Sequence, residues 1–267
     1  MKVVDAQVHP WAQGESTGHH RRDPITSAVL QKEMEAAGVD RVVLVPPLWD
    51  PHGNVYALEM ARQLPDKFTV MGLLDAARPD AAQQLRHWRD QAGMRGVRFL
   101  LNTPDRIQPW ADGLLDPLWP IAEETGLVVA MLAPGHLQIA RQVAQAYPRL
   151  KLIVDHLGVP RGAVGATAFK HLPELLELAQ FPNVRVKAVG VGDYAMDPYP
   201  FKSLEAPLRQ VFDAFGADRV IWGSDLSRLH HSYAQCVAHF REHLPYLGEA
   251  DLARVMGQNI LDLLEWK

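Results

Sequence analysis

Apolar, β-branched runs and segments of helical period take turns along the whole chain. Runs at 3–9, 41–45, 68–74, 97–101, 127–132, 150–154, 184–189 and 220–222 are short and rich in Val, Ile and Leu, which predicts strands. Arg41-Val42-Val43-Leu44-Val45 is apolar almost throughout, as a parallel strand covered on both faces requires. Between the runs, the spacing predicts helices over 54–64, 81–91, 117–124, 136–147, 172–179 and 204–215, with two more over 233–244 and 251–264. An earlier helix is capped by Thr26 or Ser27, reaches Ala37 and ends at Gly38. About eight strand-helix units in 267 residues predict an α/β chain closed into a (β/α)8 TIM barrel, a single domain over 1–267. The rival, an open doubly wound sheet, would carry a glycine-rich phosphate loop after its first strand, where this chain has His9-Pro10-Trp11.

A barrel keeps its chemistry where strands end, so polar residues at those ends are the candidates. In the first strand, alternation puts Asp5, Gln7 and His9 on one side and Val4, Ala6 and Val8 on the other. A polar segment from Pro10 to Pro24, holding Trp11, His19 and His20, follows where an active-site loop belongs. The last strand runs through Gly223-Ser224 into Asp225, a candidate base whose competing role is to cap a turn. Asp155 and His156 end the sixth strand, and alternation sends them to opposite faces, one into the site and one toward the loop. On the fourth strand Arg98 is the inward arginine and Gly96 leaves room beneath it; a guanidinium there could hold a carboxylate or a structural ion pair. Lys187 on the seventh strand stands between the same two readings, substrate contact or buried pairing. Trp49, His52 and Asn54 after the second strand, Tyr194 after the seventh, and Arg228, His230 and His231 after the eighth are pocket-lining candidates.

Net charge of -4 and a pI near 6.3 leave no basic footprint for nucleic acid or an anionic membrane, so the expected partner is a small-molecule substrate. A single cysteine, Cys236, excludes an intramolecular disulfide and fits a reducing, cytoplasmic setting. No apolar run reaches the roughly 18 residues of a membrane span, and no targeting segment is read. The sequence lacks a Gly-x-Ser-x-Gly elbow, a phosphate loop and a His-Glu-x-x-His motif, which disfavours serine hydrolases, nucleotide enzymes and zincins.

Asp5-Ala6-Gln7-Val8-His9, Arg95-Gly96-Val97-Arg98-Phe99, Asp155-His156-Leu157-Gly158, Trp222-Gly223-Ser224-Asp225 and Gly257-Gln258-Asn259-Ile260 occur together. In that order they resemble the amidohydrolase-related branch of the amidohydrolase superfamily, and within it the 2-pyrone-4,6-dicarboxylate and sugar-lactone lactonases. The resemblance implies a hydrolase that opens a small lactone, with Asp225 activating water and His9 and His156 polarising the carbonyl, aided by the Gln7 amide. It also implies departures: Gln7 replaces the first histidine of His-x-His, and the fifth strand ends Ala130-Met131-Leu132 with no histidine. No cofactor is therefore expected. Zinc would have only His9, His156 and Asp225 as ligands, and occupying them would remove the free base. Arg98, Lys187, Trp49, Asn54, Tyr194 and His230 are the expected substrate contacts. Val159 and Lys187 stand where further basic residues of the pyrone enzymes are expected, which counts against pyrone dicarboxylate itself and leaves a sugar lactone or another carboxylated lactone as the expected substrate. Two alternatives stay open: a metal-dependent decarboxylase or hydratase acting on an unsaturated carboxylic acid, and a barrel that binds without catalysis.

Overall fold

In the computed structural model, which describes Met1–Lys267, all eight apolar runs are strands. They are β1 (Val4–Val8), β2 (Arg41–Leu44), β3 (Phe68–Leu73), β4 (Met94–Leu100), β5 (Val128–Leu132), β6 (Lys151–Val154), β7 (Val184–Val189) and β8 (Val220–Gly223). Each pairs in parallel with the next in sequence order, giving a nearly closed TIM barrel. Between the strands lie α1 (Ser27–Ala37), α2 (Gly53–Gln63), α3 (Ala81–Arg86), α4 (Pro104–Ala111), α5 (Leu118–Glu124), α6 (Leu137–Ala146), α7 (Leu172–Glu177) and α8 (Glu205–Phe215). The chain ends with α9 (Tyr233–Glu242), α10 (Glu249–Ala253) and α11 (Asn259–Leu263). No helix is long and apolar enough to cross a membrane.

Burial follows two layers. Val4, Ala6, Val43, Val45, Met71, Val128, Ala130, Ile153 and Ile221 form one inner cluster drawn from six strands, plugged from below by Ile260, Leu264 and Trp266. Gly96 lets Met71 cross the barrel interior, since a Cβ there would lie 2.6 Å from its sulfur. The larger outer cluster packs the opposite faces, Val42, Leu44 and Val97 among them, against the helices.

The seam between β1 and β8 is closed by a side chain rather than a ladder. Asp5, wholly buried, accepts hydrogen bonds from the Gln7 and Ser224 backbones, the Ser224 hydroxyl and Tyr233 on α9. A Cβ at Gly223 would sit 3.1 Å from that carboxylate and 3.2 Å from the Gln7 nitrogen, so glycine permits the close approach. The register of β1 on β2 shifts between Asp5 and Val8, which breaks the strict alternation expected of this strand. Asp5 therefore serves the seam instead of joining Gln7 and His9 at the site.

Two helices differ from the sequence reading. α4 was not expected: Thr103-Pro104-Asp105 opens it with proline at the first position, but Pro109 falls inside it and none of its residues is fully buried. The helix expected over 251–264 is divided by a π turn, Arg254–Gln258, beside the Lys2 carbonyl, which Gly257 admits.

Candidate active site

A cavity of about 450 Å³ opens at the carboxyl ends of the strands. Asp225 forms part of its floor just beyond β8. Its φ of 54° is left-handed, a conformation Asp tolerates better than most residues, and its amide donates to the Gln7 carbonyl at 3.0 Å. One carboxylate oxygen, Oδ1, lies 3.2 Å from His9 Nε2 but off the line of a good hydrogen bond; Oδ2 lies 3.5 Å from Arg228 and 3.7 Å from His156 Nε2. Burial opposes ionisation of Asp225, yet His9 and Arg228 prevail and hold it well below the usual carboxylate range. The result is an anion with one buried oxygen uncommitted.

His9 is oriented from behind. Its Nδ1 lies 2.7 Å from the Val45 carbonyl, which can only accept, so Nδ1 carries a proton and Nε2 faces Asp225. His19, from the loop after β1, packs its ring edge-on against His9 at 5.3 Å and Trp49 at 4.7 Å, with Nδ1 2.7 Å from the Ser227 hydroxyl. Burial pushes its pKa down to about 3.

Asp155 and His156 depart from the expected opposition. His156 and Leu157 take φ values of 56° and 53°, so the chain leaves strand geometry right after Asp155 and both polar side chains meet the site network. His156 lines the cavity, while Asp155 is wholly buried beneath it. Asp155 pairs with Arg98 Nε at 2.6 Å and Lys187 Nζ at 2.9 Å. Burial again opposes ionisation, and again the cations, Lys187 and Arg98, outweigh it. Arg98 thus combines the two roles weighed for it: Nε is tied to Asp155, whereas its terminal nitrogens have no protein partner where it lines the cavity.

Five expectations need correcting. Lys187 is wholly buried between Asp155 and Gln7 and cannot touch substrate. Asn54 holds the end of β3, bonding the Leu73 nitrogen and carbonyl through its own amide. Tyr194 donates to the Val189 carbonyl outside the cavity. His230 is exposed, stacked on His20 at 4.3 Å and near Asp193. Gln7, expected to donate to a carbonyl, is instead wholly buried, with both ends of its amide occupied by Lys187 and His156. Trp49 does form part of the wall.

Two contributors were missed, Arg106 and Arg161, which join Arg98 and Arg228 around the cavity. Asp225 is the sole carboxylate in that lining. Arg106 lies on the unread α4, and the sequence signal for Arg161 was only a glycine-flanked loop after β6. A second, mainly apolar chamber of about 370 Å³ adjoins the cavity and shares Leu48, Arg98, Leu100 and Arg106 with it.

The metal-capable set also differs from the expected one. Donor atoms of His9, His19 and Asp225 lie within 4.8 Å of one another, whereas His156 Nε2 is engaged by Gln7. Two imidazoles, one held through Nδ1 by a carbonyl, and an uncommitted carboxylate oxygen suit a divalent cation.

Residues 4–266 match the Amidohydrolase family. An L-fucono-1,5-lactonase from Burkholderia ambifaria is 30% identical over 237 residues, 85% of this chain and 81% of that protein. Among solved structures, a Burkholderia multivorans amidohydrolase with bound zinc superposes with a TM-score of 0.84 at 20% identity, covering 100% of both chains. A Pseudomonas putida protein named for 2-pyrone-4,6-dicarboxylic acid hydrolysis superposes with a TM-score of 0.77 at 22% identity, covering 100% of this chain and 98% of that one. At such identities these structures share the fold.

Proposed function

The chain belongs to the amidohydrolase family of hydrolases, and from that premise we propose that it opens a small, carboxylate-bearing lactone by water attack without requiring metal. One observation carries the mechanism: Asp225 is buried at the cavity with Oδ1 free of any aligned hydrogen bond, 3.2 Å from His9 Nε2. Water held there attacks the lactone carbonyl carbon as Asp225 takes its proton. That proton passes on to the ring oxygen as the ring C–O bond breaks, so acid and alcohol are released in one molecule. His156 and Arg98 face the carbonyl oxygen as it gains charge.

The arginines argue for the substrate's charge. Four guanidinium groups around one carboxylate leave the cavity cationic, and a bidentate carboxylate is the ligand that guanidinium geometry fits. Of the two expected lactone classes, this lining supports the carboxylated one. Replacing Arg106 or Arg161 by methionine is expected to raise KM for a carboxylated δ-lactone about tenfold while changing a neutral one less than twofold. Equal losses on both would assign those arginines to structure. The deciding assay is a panel of neutral and carboxylated γ- and δ-lactones beside unsaturated carboxylic acids, with CO2 measured. Ring opening of the carboxylated lactones without CO2 supports the proposal, and CO2 release selects a decarboxylase.

His9, His19 and Asp225 would hold a divalent cation, and such an ion supplies a more acidic water and a Lewis acid for the carbonyl. The same coordination would occupy both the base and the histidine beside it. Exhaustively chelated protein is therefore expected to keep its lactonase activity, and added zinc to lower it, less so in His19→Ala. Stoichiometric metal in the purified protein, with activity lost on chelation and restored by adding it back, would overturn this.

A further inference from the structure

We propose that Lys187 fixes the tautomer of His156 through Gln7, so that the ring proton sits on Nδ1 and Nε2 accepts. The inference follows from counting donors. Lys187 is wholly buried, 2.9 Å from Asp155 Oδ1, and donates to Gln7 Oε1 at 3.1 Å. An ammonium has donors only, so the Gln7 amide must show it oxygen. The amide nitrogen then faces His156 Nε2 at 3.0 Å. That nitrogen also only donates, so Nε2 must accept and the ring proton must sit on Nδ1. Turning the amide over would set its NH2 against the ammonium.

His156 Nδ1 is buried and has no hydrogen-bond partner in the protein, although the residue lines the cavity. The other tautomer would direct Nε2–H toward Asp225 Oδ2, 3.7 Å away, and leave only a lone pair at Nδ1. Lys187 and Gln7 are thus positioning residues. They keep the His156 proton away from the base. This catalytic consequence rests on the lactonase reading; the tautomer does not.

Protein labelled with 15N-histidine separates the two. The His156 signals, assigned by their loss in His156→Phe, are expected to show a protonated Nδ1 and a bare Nε2. Gln7→Glu replaces the donor by an acceptor of the same shape, and the proton is expected to move to Nε2. Lys187→Met releases the amide and should give a mixture of both forms. In both variants kcat should fall at least ~10²-fold with KM within about threefold, as expected when a histidine holds the wrong tautomer. A protonated Nε2 in the wild type, or an unmoved proton in Gln7→Glu, overturns the relay. Unchanged kcat in a Gln7→Glu protein whose proton has moved overturns its functional half. The wild-type spectrum and Gln7→Glu decide the matter even if Lys187→Met fails to fold. A wild type with the expected spectrum but no lactone turnover would sink the lactonase reading and leave the relay standing.

Discussion

Asp225→Asn is expected to lower kcat at least ~10²-fold with little change in folding. The amide occupies the same volume but cannot take the proton of the attacking water. Structural reasons for a folding defect are few. Asparagine tolerates the left-handed φ of 54°, and the backbone bond to the Gln7 carbonyl is untouched. The amide can also turn its oxygen toward Arg228 and its NH2 toward His9, where the carboxylate oxygens now stand. Steady-state kinetics on a carboxylated lactone, read beside near-UV circular dichroism and a thermal melt, tests this. Activity within about tenfold of wild type in a folded variant would remove Asp225 as the base. Ionisation of Asp225 should not limit turnover on the acid side, because its carboxyl titrates well below the usual range.

Position along a strand was legible in the sequence, and this accounts for what could be read. Parallel strands buried on both faces print as continuous apolar runs, so β2 stood out, and strand ends then pointed to His9, Arg98, His156 and Asp225, all of which line one cavity. Direction after the strand ends was not legible. Alternation separates Asp155 from His156 only while the chain stays extended, and two left-handed residues cancel it. The register shift in β1 likewise diverts Asp5 to the seam. Lys187 illustrates a different gap: its place on an inward face was readable, but whether its ammonium reaches substrate depends on Asp155 and Gln7 from other strands. Arg106, Arg161 and the placement of His19 come from segments without a hydrophobic period, where sequence spacing carries no geometry.

Asp155→Asn is expected to destabilise the fold by about 3–5 kcal/mol at pH 7, the effect of leaving buried charge uncompensated. Arg98 and Lys187 converge on this carboxylate, Lys187 and Asp155 have no solvent exposure, and Arg98 has only 5%. Removing the anion leaves two buried cations side by side. Removing one cation is milder, since Arg98→Met still leaves the Lys187–Asp155 pair. The pH dependence has a definite sign. Folding depresses the Asp155 pKa, because Lys187 and Arg98 more than offset its burial. Its contribution is therefore fully present above the unfolded carboxyl value near ~3.9 and is lost as pH falls below it. Urea titrations should show the gap between wild type and Asp155→Asn constant from about pH 7 to pH 5 and closing below about pH 4. A loss under about 1 kcal/mol at pH 7, or a gap that closes near neutral pH, would mean that the two cations are not held by this carboxylate.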